Sequence, residues 1–434
     1  VKIAWFTPFA KASAIGKYGA VFIRELRKTH DVTIFADNAT TKQEVWLDDA
    51  PMYFLSTMPL AEVVQMLPAF DAVFYNMGNY MPNHARIYEV ARAYSGIVIL
   101  HDLVMHHFFR GYYLHELQDS EQFLNELTYS HGREGRALGE SILDGTSGDI
   151  GVTDVMLTFN MALSAIRNAH GVITHSRYSN QILHEMTPAP IAYIPFPTPP
   201  MEGHYVPTAR KSTNRVRLLT FGILNPNKLI AEVIQSIGLN PFLKSNVTYE
   251  LLGTGESTYV EQLKTLVRMY KLENVVNFLG YQPDEVLHQS MVDADIIINL
   301  RNPQFGESSA SLVEGMMMGK PVVVWNHGYY ATFPDETVMK VDSQDDFVTA
   351  LTRLVEDKNV RLAYGQSAQA HIQTHLVTAE STRQLVAFAE DVRKDKIVLL
   401  VTDFIIDEMR KMGADERFPH LSDSVIKTLS ELII

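Results

Sequence analysis

The chain of 434 residues contains no cysteine. Disulfides, zinc–thiolate sites and cysteine nucleophiles are therefore excluded. It also lacks any apolar run of the roughly 18 residues that a membrane helix needs. Positive charge is in deficit, since 37 Lys and Arg against 50 Asp and Glu leave a formal net charge of −13. No basic face for nucleic acid and no polybasic membrane anchor is expected, although a local basic cleft for a small anion stays compatible with that total. Short-period repeats and low-complexity segments are absent as well. The opening VKIAWFTPFA reads as the start of a strand, without the charged region and cleavage site of a signal peptide, and the expectation is a cytoplasmic protein.

What is present describes a globular protein: 46% hydrophobic and 20% charged residues over a length suited to two domains. Short β-branched runs alternate with helical patterns, from KIAWF (2–6) and DVTIFA (31–36) through DAVFYN (71–76) and GIVILHD (96–102) to AHGVITHS (169–176) and APIAYIPF (189–196). That alternation indicates a parallel sheet covered on both faces. Residues 103–168 interrupt it with helical sequence, and 197–214, rich in Pro and Thr, read as a linker. The rhythm then restarts with VRLLTFG (216–222), VTYELLG (247–253), VVNFLG (275–280), ADIIINL (294–300), KPVVVW (320–325) and TVMKV (337–341). The divisions expected are a first α/β domain over 1–197, a second over 215–375 and helices over 376–434. The tail is amphipathic; its first part is expected to cross back to the first domain, and the rest to pack on a domain or a partner chain. A homo- or hetero-oligomer through this tail is compatible with the pattern. Ligands in such sheets bind beyond the carboxyl ends of the strands, so the cleft between the domains is the expected site.

Four segments carry candidate chemistry. FTPFAKASAIGKYGAVFIREL (6–26) runs strand, glycine loop, helix, and Gly16 stands where backbone N–H groups can approach a phosphate or where the chain simply turns. The glycines there do not form the G-x-G-x-x-G dinucleotide fingerprint. GIVILHDLVMHH (96–107) places His101 and Asp102 immediately after an apolar strand, where a side chain meets the cleft or where the histidine merely caps the strand. A metal reading through His106 and His107 lacks the H-E-x-x-H spacing. FGILNPNK (221–228) sets Lys228 at the start of a helix, neutralising a phosphate or merely solvated. QFGESSASLVEGMMMGKPVVVW (304–325) gathers Gly306, Glu307, Ser308 and Ser309 before a helix expected at 311–318, with Glu314 about a turn inside it. A helix start suits an anion, and a carboxylate can accept two vicinal sugar hydroxyls, so the pair fits a nucleoside diphosphate. The bland alternative is a capped helix with a satisfied glutamate.

Taken together, these stretches resemble a retaining glycosyltransferase of the GT-B fold, family 4 type (glycosyltransferase group 1), the large family that includes sucrose synthases and phosphatidylinositol mannosyltransferases. The likeness covers residue 1 to about 390. FGILNPNK is similar to the family's G-R-x-x-x-x-K donor loop, and LRNPQFGESSASLVEG to a subgroup's version of its E-x7-E region. HSRYS (175–179) is similar to the strand that closes the family's first domain. The resemblance implies two doubly wound Rossmann-like domains facing a central cleft, with a C-terminal helical tail. It implies metal-independent transfer of a sugar from a nucleotide-diphosphate sugar to a hydroxyl acceptor, with no cofactor beyond that co-substrate. His101 would contact the transferred sugar, and Gly16, Lys228, Gly306, Glu307, Ser308, Ser309 and Glu314 would bind the donor. The acceptor would lie near the 103–168 insertion, where Tyr112, His131 and Arg133 are candidates. Two positions depart from the pattern: the family's arginine falls on Ile223, and its first glutamate falls on Gly306, one residue before Glu307. An alternative of another class is a non-catalytic GT-B subunit that stabilises or targets a partner transferase.

Overall fold

A computed structural model describes residues 1–11, 13–147, 153, 155–198 and 215–411, with side chains to residue 394. Most of the linker and the end of the tail, including SDSVIKTLSELII, lie outside the described residues. The first domain carries β1 (Lys2–Pro8), β2 (Asp31–Asp37), β3 (Met52–Phe54), β4 (Ala72–Met77), β5 (Ile97–Leu100), β6 (Gly171–Thr174) and β7 (Ile191–Tyr193). They form one sheet in the order β3-β2-β1-β4-β5-β6-β7, parallel in every pairing. The second domain carries β8 (Val216–Phe221), β9 (Val247–Leu252), β10 (Val276–Gly280), β11 (Ile296–Ile298), β12 (Val322–Trp325) and β13 (Met339–Val341), also parallel, in the order β10-β9-β8-β11-β12-β13.

The continuous apolar runs follow from this layering. Successive residues of β1 point to opposite faces, so Ala4 and Phe6 join one core while Ile3 and Trp5 join the other. In β8, Leu218 faces one core of the second domain and Leu219 and Phe221 the other. Strand order reverses beside β1 in the first sheet and beside β8 in the second, which opens a crevice at the carboxyl ends of β1 and β4 and of β8 and β11. Helix α1 (Ala14–Leu26) follows β1 and opens on Ser13, whose hydroxyl accepts the Gly16 N–H.

The helix Thr378–Lys411 returns to the first domain. Leu385, Ala389 and Val392 are buried in the core formed by Ile3, Trp5, Phe74 and Ile97. The crossing point is pinned by hydrogen bonds between Thr198 and the Leu376–Thr378 turn. The inserted region is helical, with the helix Ser120–Leu143 bent at Gly132. Among the described residues no helix is long and apolar enough to cross a membrane.

Candidate functional site

On the first-domain side, His101 follows directly after β5, and its backbone N–H bonds Met77 O to continue the ladder with β4. Its Nε2 lies 2.9 Å from Asn76 Oδ1. The Asn76 amide is oriented by its own donation from Nδ2 to Phe6 O at 2.9 Å, so its oxygen can only accept. His101 is therefore protonated on Nε2, and its Nδ1 is the acceptor nitrogen. Burial, with His175 and His84 nearby, holds its pKa well below the ordinary value and keeps the ring neutral. Beside it Asp102 accepts the Asn79 N–H at 2.8 Å, and burial, with Glu307 across the cleft, pushes its pKa up to about 6. His106, by contrast, is fully buried within the insertion and packs edge-on to Phe123. Among the described residues no three His, Asp or Glu side chains converge as a metal-holding set.

Gly16 lets α1 approach the end of β1, because a Cβ there would stand 2.4 Å from Pro8 O. Its own N–H is spent on the Ser13 hydroxyl at 3.1 Å. The candidates near the insertion are placed differently: Tyr112 is buried against Tyr88 and Phe108, and His131 accepts the Met161 N–H at 3.0 Å, while Arg133 is exposed.

On the second-domain side, Lys228 is buried at the tip of β8 and donates to Phe221 O at 2.6 Å. Burial lowers its pKa to about 7, with Arg301 adding to the effect. The loop after β11 is organised by its own side chains. Glu307 accepts from Arg301 Nη1 at 2.8 Å and from the Phe305 N–H at 2.7 Å. Gln304, fully buried, donates to Glu307 O and accepts the Tyr329 N–H. Ser309 caps the helix Ala310–Met317 by accepting the Leu312 N–H, and it is held in turn by Asn299. This helix starts one residue before the expected 311. Ser308 lies half-buried just ahead of the cap.

The two halves meet through the predicted residues. Glu314 accepts the Tyr18 hydroxyl at 2.9 Å and lies 3.4 Å from Lys17 Nζ, which also reaches Asp284 at 3.2 Å. The Tyr18 ring packs on Phe196 at 4.2 Å between centroids. Gly306, at φ +85°, adopts a conformation that side chains resist, and a Cβ would stand 2.4 Å from Leu103 Cβ. Its carbonyl accepts the Ser179 hydroxyl, and Phe305 O accepts the Val104 N–H at 3.2 Å. The structure thus brings Glu314 and Gly306 to the interdomain contact, Lys228 and Glu307 to the loops behind it, and His101 to the facing strand end.

Sequence reading missed Lys17, Tyr18 and Arg301 as parts of this cleft. Arg301 does carry a usable signal, because it lies just past an apolar strand, where cleft residues such as His101 and Asp102 are expected. Lys17 and Tyr18 carry none beyond their place at the start of α1.

Comparisons with known proteins agree with this architecture. Residues 207–371 match the family described as glycosyl transferases group 1. An uncharacterized glycosyltransferase of Methanocaldococcus jannaschii is 26% identical over 183 residues, 40% of this chain and 45% of that protein. The chain therefore spans less than half the length of this curated relative. Among solved structures, HepE of Anabaena in complex with UDP superposes with a TM-score of 0.62 at 18% identity, covering 90% of this chain and 100% of that one. A sucrose-phosphate synthase of Thermosynechococcus elongatus does so with a TM-score of 0.59 at 15% identity, covering 90% and 98%. The fold is GT-B, two Rossmann-like domains across a cleft, and its second domain carries the match to glycosyl transferases group 1.

Proposed function

We propose that the chain is a retaining glycosyltransferase of the family 4 type, moving a sugar from a nucleotide-diphosphate sugar to a hydroxyl acceptor without a metal ion. The observation that carries this reading is one convergence. Lys228, the start of the helix Ala310–Met317 and Glu314 lie at the carboxyl-end loops of the second sheet, inside the matched segment and facing the strand end that bears His101. Without a metal, the charge that develops on the leaving diphosphate must be met by protein donors. The Lys228 ammonium and the amides of 306–309 are among the groups available for it. Glu314 would take the ribose hydroxyls once Tyr18 and Lys17 release it. The neutral His101 presents an acceptor nitrogen toward a sugar hydroxyl, and the departing phosphate oxygen accepts the proton of the acceptor hydroxyl as the new glycosidic bond forms on the same face. No protein nucleophile is needed. Closure of the two domains excludes water from this step. The alternative of a non-catalytic partner subunit is disfavoured, because the cleft retains His101, Lys228 and Glu314 together.

The neighbour HepE is described in complex with UDP, with UDP and glucose and with UDP-glucose, so a uridine donor is the first to test. A thermal-shift panel with UDP, GDP, ADP and dTDP, each with EDTA, compares wild type with Glu314→Ala. A ligand at 100 times its Kd adds about 2.7 kcal/mol to the folded state. We expect one nucleotide to stabilise wild type, to be weakened by the substitution and to ignore EDTA. Stabilisation by none of the four would overturn the reading.

A further inference from the structure

The donor loop of the second domain is short of one cation where the resemblance places an arginine. Ile223 stands there instead, 70% exposed. The neighbouring strand supplies a candidate. In the parallel ladder of β8 and β11, Ile297 pairs with Leu219. Arg301 and Ile223 therefore stand on the loops that leave two adjacent strands, three and two residues past their ends. The two loops are also tied directly, since the Asn302 N–H donates to Asn227 O at 2.8 Å, next to Lys228. Arg301 is close enough for its charge to press on the Lys228 ammonium and to act on Asp102 across the cleft. Two cations drawn together against their repulsion are stabilised by an anion that both can reach.

The geometry of Arg301 is that of a held donor. One arm, Nη1, is committed to Glu307 at 2.8 Å, and the pair is mostly buried, at 18% and 13% side-chain exposure. The other oxygen of Glu307 is fixed by the Phe305 N–H. The buried Tyr330 hydroxyl lies beside the guanidinium, and Arg301 Nε is buried without a hydrogen-bond acceptor of good geometry. A buried guanidinium N–H without an acceptor is costly, and the bidentate fork that a guanidinium offers suits phosphate oxygens.

We propose that Arg301 supplies the second cation of the diphosphate subsite in place of the arginine missing at Ile223, and that Glu307 acts through it as a positioning residue. This rests on the nucleotide-sugar reading above. It gives the loop's first carboxylate the task of holding a cation and leaves the sugar-nucleotide hydroxyls to Glu314.

The test is calorimetric binding to the full chain of UDP and UMP, with GDP and GMP, ADP and AMP, and dTDP and dTMP run in parallel. The ratio of diphosphate to monophosphate affinity is the readout. We expect Arg301→Gln to lower diphosphate affinity at least tenfold while monophosphate affinity holds, and Glu307→Gln to produce a smaller loss of the same kind. Adding Ile223→Arg should restore the ratio in both variants, which a merely structural role would not allow. If Arg301→Gln does not fold, Arg301→Lys is read instead, with an expected drop of about threefold in the ratio. An unchanged ratio in the folded variant, or equal loss of monophosphate and diphosphate with no rescue, overturns the assignment while the nucleotide-sugar reading stands. A wild type that binds none of the diphosphates overturns both.

Discussion

At the scale of single residues, the Lys228 ammonium is the group whose chemistry the fold alters most usefully. Its acceptor, Phe221 O, is uncharged, and burial brings its pKa from 10.5 down to about 7. Between those two values the unfolded chain holds a proton that the native lysine has released. This residue's contribution to stability therefore rises with pH across that window. Ligand binding runs the other way. A diphosphate needs the ammonium, so above pH 7 binding must take up a proton, and affinity should fall by up to about tenfold per pH unit. The phosphates of UDP are already ionised there, with a second pKa near about 6, and so do not explain such a slope. Calorimetry of UDP from pH 6.5 to 9 should show this fall in wild type, with proton uptake visible as a dependence on buffer ionisation heat. Lys228→Met should give a weak, flat profile. A wild-type affinity that does not change over that range would remove Lys228 from the diphosphate site. Neutral His101 is the complementary case, because Asn76 fixes its tautomer as well as its position.

Among elements, the strands were the most legible part of the sequence. Among the described residues twelve of the thirteen strands coincide with the apolar runs quoted above, nine lying wholly within them and β1, β2 and β4 running one or two residues past, because a strand buried on both faces leaves an uninterrupted β-branched signature. The exception, Met52–Phe54, is an edge strand of three residues with no alternation to detect. The candidate loops were legible by the same logic, since they follow apolar strands. Arg301 shares that local signal, but its pairing with Glu307 and its nearness to Lys228 exist only in the folded loops, which no local pattern encodes. Lys17 and Tyr18 meet a glutamate nearly 300 positions away, at 297 and 296 residues, and their role exists only once two domains face each other. The C-terminal helix lies between these cases. Its helical character and its crossing back to the first domain were expected from the sequence, whereas the particular core residues it covers depend on tertiary packing. Leu385 is fully buried beneath it with Ile3, Trp5 and Phe74. Leu385→Ala should cost about 2–5 kcal/mol of stability, read from chemical unfolding of the full chain. A loss under about 1 kcal/mol would mean that the helix is not integral to the first domain's core.

Across the whole molecule, the two domains are held in contact by groups that the proposed donor also needs. Glu314 is 11% exposed and has both the Tyr18 hydroxyl and the Lys17 ammonium against one oxygen. Lys17 is shared with Asp284, so α1 bridges to two helices of the second domain. A ribose diol that takes the carboxylate must displace Tyr18 or crowd Lys17, and the free energy of those contacts is subtracted from donor affinity. A hydrogen bond to a charged group contributes about 1.5–3 kcal/mol, but Lys17 would keep part of the contact in a Tyr18→Phe variant. The gain in UDP affinity expected of that variant is therefore about tenfold or less. The substitution keeps the ring that packs on Phe196, so a change in affinity is not a packing loss. Without ligand, the variant should also show a larger radius of gyration by small-angle scattering, with the difference removed by saturating UDP. Tighter binding together with the expanded free form would identify the Tyr18–Glu314 contact as a brake that the donor releases. If Tyr18→Phe weakened UDP binding instead, the hydroxyl would belong to the bound state, helping Glu314 hold the ribose in place of competing for it.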